Sequence, residues 1–157
     1  MGRSEQPDDA ESAAPKARPY QLEFYKDPKS KVEPVRKWMK SLDDYQREAI
    51  GVALRVVLQE HGIDVCRGEW GKPLGKGLFE FRVRHNAAEI LGMFTDKTPR
   101  DEHRKVLLRV FGYAHGDRLI LLLAGYDKEG DPSDRRENRE IILARARLVE
   151  YRRRTGV

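Results

Sequence analysis

The sequence predicts one α+β domain, in which a small antiparallel meander carries an N-terminal helical hairpin and a C-terminal helix. Three observations predict this class. The chain of 157 residues is long enough for one domain with a hydrophobic core and too short for two comfortable ones. Its apolar periodicity gives the order strand, two helices, three strands, helix. Helices and strands that are segregated along the chain in this way are typical of α+β domains.

The chain begins with a polar segment. Residues 1–18 are rich in Ser, Ala, Pro, Asp and Glu and have no apolar periodicity, which predicts a disordered tail. The folded domain is therefore expected over residues 19–157. Its first element is a strand at 20–24, where apolar and polar residues alternate.

Two helices are predicted next. Pro34 suits the first turn of a short amphipathic helix, and a second helix is expected from Asp43 or Asp44 to about Glu60, with Gly62 just beyond its end. The apolar stripe of the first helix has the spacing i, i+3, i+4, i+7 and consists of Val35, Trp38, Met39 and Leu42. The short break between the two helices predicts a hairpin.

The stretch 71–77, GKPLGKG, is expected to be a mobile cationic loop. A nucleotide-binding P-loop has the pattern G-x-x-x-x-G-K-[ST] and leads from a strand into a helix. Trp70 and Cys66 stand where the first glycine would have to be, and neither Lys76 nor Lys72 is followed by Ser or Thr. The stretch also leads into a strand, so the P-loop and the dinucleotide fingerprint are both excluded.

The strand at 78–84 alternates cleanly, with apolar residues on one face and Glu80, Arg82 and Arg84 on a solvated face. One or two helical turns are predicted after Asn86, which has Glu89 three residues later. A charged loop (96–105) precedes strands at 105–113 and 118–126, and the unbroken apolar run in the second of these predicts a central strand buried on both faces. The last helix is expected from Ser133 or Asp134, with Ile141, Ala144, Leu148 and Tyr151 on its apolar side.

Composition restricts the class of protein further. The formal net charge of +5 points to an anionic partner, most often nucleic acid. Cys66 is the only cysteine, so neither an intramolecular disulfide nor a zinc site built from cysteines is possible. The N-terminus has no apolar core of a signal peptide and the longest apolar run is 119–124, so a cytoplasmic protein without a membrane segment is expected.

Four stretches together suggest a family: KPLGKGLFEFRVR, LLRVFGY, LILLLAGYDKEGD and EIILARARLVEYRRR. From about residue 20 to 154 the chain resembles the RelE/HigB superfamily of toxin ribonucleases, in particular its phage-derived HigB-like branch. The resemblance implies a RelE-like fold and the toxin of a type II toxin–antitoxin module, neutralised by a cognate antitoxin. It further implies cleavage of mRNA in the ribosomal A site without a metal or other cofactor, through attack of a ribose 2′-OH on the adjacent phosphate.

The resemblance also implies site residues. The chemistry requires a base for the 2′-OH, cations for the crowded phosphorane and an acid for the leaving oxygen. The basic positions of the family correspond to Arg82, Arg109 and Lys128, which are the candidate catalytic residues. The candidate RNA-binding residues are Lys72, Lys76, Arg84 and Tyr151, the last of which is also a candidate for the core or for an antitoxin interface.

Three questions stay open at the level of sequence. The general base is unassigned among Glu80, Asp127 and a histidine, with His85 and His115 as the candidates. Lys128 stands between two acidic residues where the family shows a basic cluster, which keeps open a non-catalytic RNA- or protein-binding module on the same scaffold. A DNA-binding regulator is disfavoured, because the predicted helix pair lacks an arginine-rich second helix.

Overall fold

The computed structural model describes residues 19–95, 104–116 and 118–156. The fold is α+β, with a five-stranded, mostly antiparallel sheet and helices on both of its faces. This confirms the predicted class. The predicted tail and most of the predicted charged loop lie outside the described residues, and the helical-hairpin and RelE-like details stay predictions.

Five strands form the sheet, in the spatial order β1-β5-β4-β3-β2. The four strands β2 to β5 form an antiparallel meander, one strand longer than the three-stranded meander that the sequence predicts. β1, in contrast, pairs in parallel with β5. The chain between these two strands contains the first three helices and β2 to β4, so it is long enough for the crossover that parallel pairing needs. The strands are β1 (Gln21–Phe24), β2 (Gly71–Gly75), β3 (Leu78–Val83), β4 (Leu108–His115) and β5 (Leu119–Asp127).

The prediction of a mobile loop at 71–77 is wrong, because residues 71–75 form the edge strand β2. β2 and β3 are joined by a two-residue turn in which Lys76 has φ 57° and Gly77 has φ 86°. Positive φ at both central residues is the requirement of the type I′ turns that favour hairpins. Pro73 is tolerated because β2 lies at the edge of the sheet, where one side needs no partner. The glycines therefore serve turn geometry rather than mobility.

The helices that cover one face of the sheet begin where the sequence predicts. Pro34 opens α1 (Pro34–Ser41). Asp43 caps α2 (Asp44–Val52) through a capping box with Gln46, and Asn86 caps α3 (Ala87–Phe94) in the same way with Glu89. In each box the side chain of the cap accepts a backbone N–H that would otherwise lack a partner at the helix end.

The predicted second helix differs from expectation after its first two turns. It continues as a π-helix at Ala53–Leu58, then as a short α-helical turn at Gln59–His61, before a 3-10 helix at Gly62–Arg67. Hydrogen bonds such as that from Gln59 N–H to the Leu54 carbonyl span five residues and widen the turn, so that the buried face is no longer the one a regular α-helix would present. The buried side chains of the π-helix are those of Ala53, Leu54, Val57 and Leu58.

Two separate apolar clusters fill the two faces of the sheet. Under α1 to α3 lie Phe79, Phe81 and Val83 of β3 with Val110 of β4. The opposite face is covered by α4 (Asp134–Thr155), whose buried stripe includes Ala144, Leu148 and Tyr151, as predicted. β5 lies between two strands and is buried on both faces, which confirms the prediction for the apolar run 119–123. Within the described ranges, no helix is long and apolar enough to cross a membrane.

Replacement of Gly62 by alanine is expected to lower the free energy of unfolding by about 2–5 kcal/mol, the sum of backbone strain and steric overlap. Gly62 has φ 57° and ψ −138°, and a Cβ there would lie 2.3 Å from Cζ of Tyr20. Urea unfolding measures the loss. Gly51→Ala in α2 is the control. Apart from its chain neighbours and the adjacent helix backbone, no atom of the described residues lies within 4 Å of a Cβ placed there, so we expect unchanged stability or a gain of up to about 1 kcal/mol. An unchanged urea midpoint for Gly62→Ala would contradict the prediction.

Candidate functional site

A cluster of charged side chains lies between the sheet and the N-terminal turns of α4. Cross-strand pairing sets Arg82, Arg109 and Tyr126 side by side on β3, β4 and β5. Lys72 of β2 is paired with Glu80 of β3 in the next row. Directly paired residues share a face of the sheet, as do residues two apart on one strand. All five therefore belong to the face that α4 covers.

Glu80 is the centre of this cluster. The sequence pattern places it on a solvated strand face, but its side chain is 0% exposed, because α4 covers that face. Its Oε1 accepts a hydrogen bond from Nε of Arg82 at 3.0 Å, and its Oε2 lies 3.3 Å from Nε of Arg109. Arg109 is itself only 4% exposed. A buried carboxylate thus holds two guanidinium groups in fixed positions.

A second ion pair joins the cluster to α4. Lys128, in the turn after β5, donates a hydrogen bond from Nζ to Oε1 of Glu137 at 3.0 Å. The carboxyl group of Glu137 also interacts with that of Glu80, which contributes to the lowered pKa of Glu137. The three candidate catalytic cations, Arg82, Arg109 and Lys128, therefore belong to one continuous polar network, although they are up to 46 positions apart in the chain.

Among the residues that the structure describes, three buried polar atoms in this network have no hydrogen-bond partner: Oε2 of Glu80, Nε of Arg109 and the hydroxyl of Tyr126. The Glu80–Arg109 contact is within ion-pair distance but does not have hydrogen-bond geometry. Buried polar groups in proteins almost always have partners, and exceptions concentrate at functional sites or where a water or ligand binds. The convergence of three such atoms marks this cluster as the candidate site.

Burial shifts the ionisation of the network. Burial lowers the pKa of the Arg109 guanidinium, Glu80 opposes that shift, and the like charges of Arg82 and Arg84 add to it. Burial acts to raise the pKa of the Glu137 carboxyl, but the hydrogen bond and charge of Lys128, together with the interaction with Glu80, hold that pKa below its ordinary value. Glu137 is therefore an anion at neutral pH, facing the cations of the site.

The other predicted RNA-binding residues divide between the two ends of the sheet. Exposed Lys72 and exposed Arg84 flank the cluster at the edge formed by β2 and the end of β3. Lys76 lies at the other end of the hairpin, about four residues or 13 Å along the strand direction from Lys72. Tyr151 is 6% exposed and packs in the apolar cluster under α4. That position favours the packing role of Tyr151 over base stacking.

The candidates for a general base are separated by the fold. The carboxylate of Asp127 accepts hydrogen bonds from Gln46 and from the backbone of the turn that follows it, so it stabilises that turn. His85 contacts Glu69 and Trp70, and Trp70 belongs to the apolar cluster under α1 to α3. His115 is at the far end of β4 from Arg109, beside Tyr113. Of these candidates, only Glu80 contacts the catalytic cations.

Two residues of the network were not singled out from the sequence. Tyr126 precedes the turn after β5, and only the register of β4 and β5 reveals that it lies opposite Arg109. Glu137 is in the first turn of α4, where an acidic residue is ordinarily explained by the helix dipole. Its contact with Lys128 depends on how α4 returns across the sheet, which no local pattern gives.

The arrangement can bind and neutralise an anionic group, since it contains two guanidinium groups and an ammonium group held by two carboxylates. Among the described residues, no group of three or more His, Cys, Asp or Glu side chains could hold a metal ion.

Searches of protein-family models, of curated proteins and of solved structures found no match to this chain. The resemblance to the RelE/HigB superfamily therefore stays a prediction.

Ionisation of Tyr126 is expected to destabilise the fold in alkali. Burial, together with the charges of Glu137 and Glu80, raises the pKa of Tyr126 from 10.0 to about 12. The folded state therefore holds the hydroxyl proton of Tyr126 more tightly than the unfolded chain does. The contribution of the protonated hydroxyl to the stability of the fold is complete below about pH 10 and is lost as the pH rises through about 12. Urea unfolding across this range should show a smaller alkaline loss for Tyr126→Phe than for the wild type.

Tyr25 provides the comparison, because burial and its hydrogen bond to Glu150 also raise its pKa to about 12. The double variant Tyr25→Phe/Tyr126→Phe is expected to lose less stability in alkali than either single variant. If Tyr126→Phe loses as much as the wild type between about pH 10 and 12, Tyr126 does not ionise on unfolding as described here.

Proposed function

We propose that this protein is an endoribonuclease toxin of a type II toxin–antitoxin module, which cleaves mRNA at the ribosome and is neutralised by a cognate antitoxin. The observation that supports this most directly is the network around Glu80. Arg82, Arg109 and Lys128, chosen from the sequence by resemblance alone, all belong to it. Cations from three separate chain segments that converge beside orphaned polar atoms are what a phosphate-handling site requires.

In the proposed reaction, the 2′-oxygen of a ribose attacks the adjacent phosphorus, its proton passes to a base, and the 5′-oxygen of the next nucleotide leaves with a proton. Arg82 and Lys128 are the accessible cations, with side chains 24% and 23% exposed, and they bind the phosphate oxygens. Arg109 lies behind them and stabilises the negative charge that develops on the phosphorane. Glu80 and Glu137 are the carboxylates in contact with these cations and are the candidates for the base.

Access to the site requires a local movement. Glu137 holds Lys128, and the guanidinium of Arg136 lies 5.0 Å from the centre of the Tyr126 ring. These contacts attach the first turns of α4 to the face of the sheet that carries Arg109, whose side chain is buried. An RNA phosphate must replace the Glu137 carboxylate as the partner of Lys128. Because one anion is exchanged for another, the ammonium group of Lys128 has an anionic partner before and after RNA binds.

The test is expression in a bacterial host with a measurement of growth, translation and RNA cleavage. The proposal expects growth to stop, mRNA to be cut at ribosome-bound codons, and the upstream fragments to end in a 2′,3′-cyclic phosphate. A target RNA with a single 2′-deoxyribose at the cut position should resist cleavage, because the attacking hydroxyl is missing. Normal growth together with intact mRNA at high expression would refute the proposal.

A second function, a binding module without catalysis, is favoured by one specific observation. Each of the three candidate cations already has a carboxylate of this chain as its partner, at 3.0–3.3 Å. Such internal pairs stabilise charge without any ligand. This function predicts binding of RNA or of a protein partner without the cyclic-phosphate product, so the same cleavage assay distinguishes it.

A further inference from the structure

A second cationic surface lies away from the Glu80 network. A cavity of about 340 Å³ is formed by α1 together with the turn that follows β1. Five of the seven residues that line it are cationic, and they are Lys26, Lys31, Arg36, Lys37 and Lys40. α1 packs on the face of the sheet opposite α4, where Trp38 lies against Gly125. The cavity and the candidate catalytic cluster are therefore on opposite sides of the domain.

The positive charge of this cavity is largely uncompensated. Glu33 is the one acidic lining residue, and it is already paired with Arg36 at 2.6 Å. In the part of the chain that the structure describes, the ammonium groups of Lys26, Lys31, Lys37 and Lys40 have no carboxylate within ion-pair distance. Like charges one helical turn apart, such as Lys37 and Lys40, repel one another and destabilise a helix. A bound anion would remove this cost.

The turn after β1 fixes the shape of the cavity. The carboxylate of Asp27 accepts hydrogen bonds from the backbone N–H groups of Lys29 and Ser30, and the backbone of Asp27 is bonded to Val32 and Lys31. Asp27 is thus occupied by the turn rather than by the lysines. Lys31 has φ 65°, a left-handed conformation that is unfavourable for a residue with a side chain. The tight turn holds Lys31 there, at the wall of the cavity.

The chemistry of the lining favours a nucleic-acid backbone over a protein partner. Val32 is the one apolar residue among those that line the cavity, whereas the centre of a protein interface is usually rich in apolar and aromatic side chains. Lysines are compact charges without the planar geometry that selects one orientation of a carboxylate. Several of them in one concavity suit a chain of phosphates bound without regard to base sequence.

We propose that Lys26, Lys31, Lys37 and Lys40 form a docking site for the phosphate backbone of RNA, separate from the Glu80 network. The proposed function already includes RNA as substrate, but this site does not require cleavage and remains valid for a catalytically inactive protein. It holds RNA through charge alone. The site on the α4 side then acts on a strand that the α1 side helps to retain on the protein.

The test uses the full-length protein and a fluorescent RNA whose 2′-hydroxyls are all methylated, so that binding is measured without cleavage. Anisotropy titrations over a range of KCl concentrations compare the wild type with Lys31→Gln/Lys37→Gln/Lys40→Gln. We expect the variant to bind about 10- to 100-fold more weakly at low salt. The slope of log K against log salt should fall by about 2–3, since each lost phosphate contact contributes about 0.7–0.9.

The control variant Arg55→Gln/Lys105→Gln/Arg139→Gln removes three exposed cations that do not line the cavity and has the same net charge. It is expected to keep most of the affinity and of the salt slope. Equal losses in both variants would overturn the proposal, because they would show a general charge effect. The absence of measurable RNA binding by the wild type at low salt would also overturn it.

Two competitors identify the source of the anion. Poly-glutamate and inorganic tripolyphosphate are titrated against the same wild-type and variant proteins. If the lysine variant loses affinity for poly-glutamate but not for RNA, the surface binds an acidic protein and the proposal is wrong. If only tripolyphosphate binding depends on the three lysines, the site takes a free polyphosphate instead. Cleavage is measured separately, so failure of the docking site and failure of the ribonuclease proposal are distinguishable.

Discussion

Glu80→Ala is expected to lower the free energy of unfolding by about 3–5 kcal/mol, the cost of leaving buried charge unpaired. Its carboxylate is 0% exposed and contacts both Arg82 and Arg109. Arg82 is 24% exposed and can turn toward water, but the side chain of Arg109 is only 5% exposed and would keep its charge without a partner. Chemical unfolding of the purified protein measures the loss.

The matched control is Glu33→Ala, which also removes a carboxylate from an ion pair with arginine. Glu33 and Arg36 have side chains that are 27% and 51% exposed, so water replaces the lost contact and we expect a change of about 0–1 kcal/mol. In the double variant Glu80→Met/Arg109→Met, both buried charges are replaced by apolar groups, and much of the lost stability should return. If Glu80→Ala is no more destabilising than Glu33→Ala, the Glu80 pair does not contribute as proposed.

Removal of either accessible cation is expected to lower the rate of RNA cleavage by about 10²- to 10³-fold, the usual effect of losing one group that stabilises transition-state charge. Arg82→Gln and Lys128→Gln are the variants of choice, because both side chains are partly exposed, and after Arg82→Gln the buried Glu80 keeps Arg109 as an ion-pair partner. Arg109→Ala is less informative, since the loss of a buried side chain confounds catalysis with folding. Cleavage of a translated mRNA gives the rates, and circular dichroism checks the fold.

Arg154→Gln serves as the control for these two variants. Arg154 forms a comparable ion pair with Glu150 at the other end of α4, and its side chain is 41% exposed. The Arg154→Gln variant should cleave RNA at the wild-type rate. Lys128→Gln also leaves Glu137 without its partner, so Lys128→Gln/Glu137→Gln is included and should fold as well as the wild type but cleave no faster than Lys128→Gln. Wild-type rates for folded Arg82→Gln and Lys128→Gln would remove both residues from the proposed site.

Much of the fold follows from local sequence. Pro34, Asp43 and Asn86 mark the starts of three helices because the groups that satisfy a helix end are close in the chain. The alternation in β3 correctly separates the two faces of the strand. The continuous apolar run at 119–123 identifies the central strand, since only burial on both faces tolerates it.

The tertiary structure decided what depends on contacts between distant segments. Local pattern could not show that β1 joins β5 in parallel, that 71–75 is an edge strand, or that the second helix becomes π-helical at 53–58. The same holds for the candidate site: the sequence offered Arg82, Arg109 and Lys128, but only strand register and the return path of α4 bring them together with Tyr126 and Glu137. Glu80 looked solvent-exposed because alternation records which face a side chain takes, whereas burial depends on what covers that face.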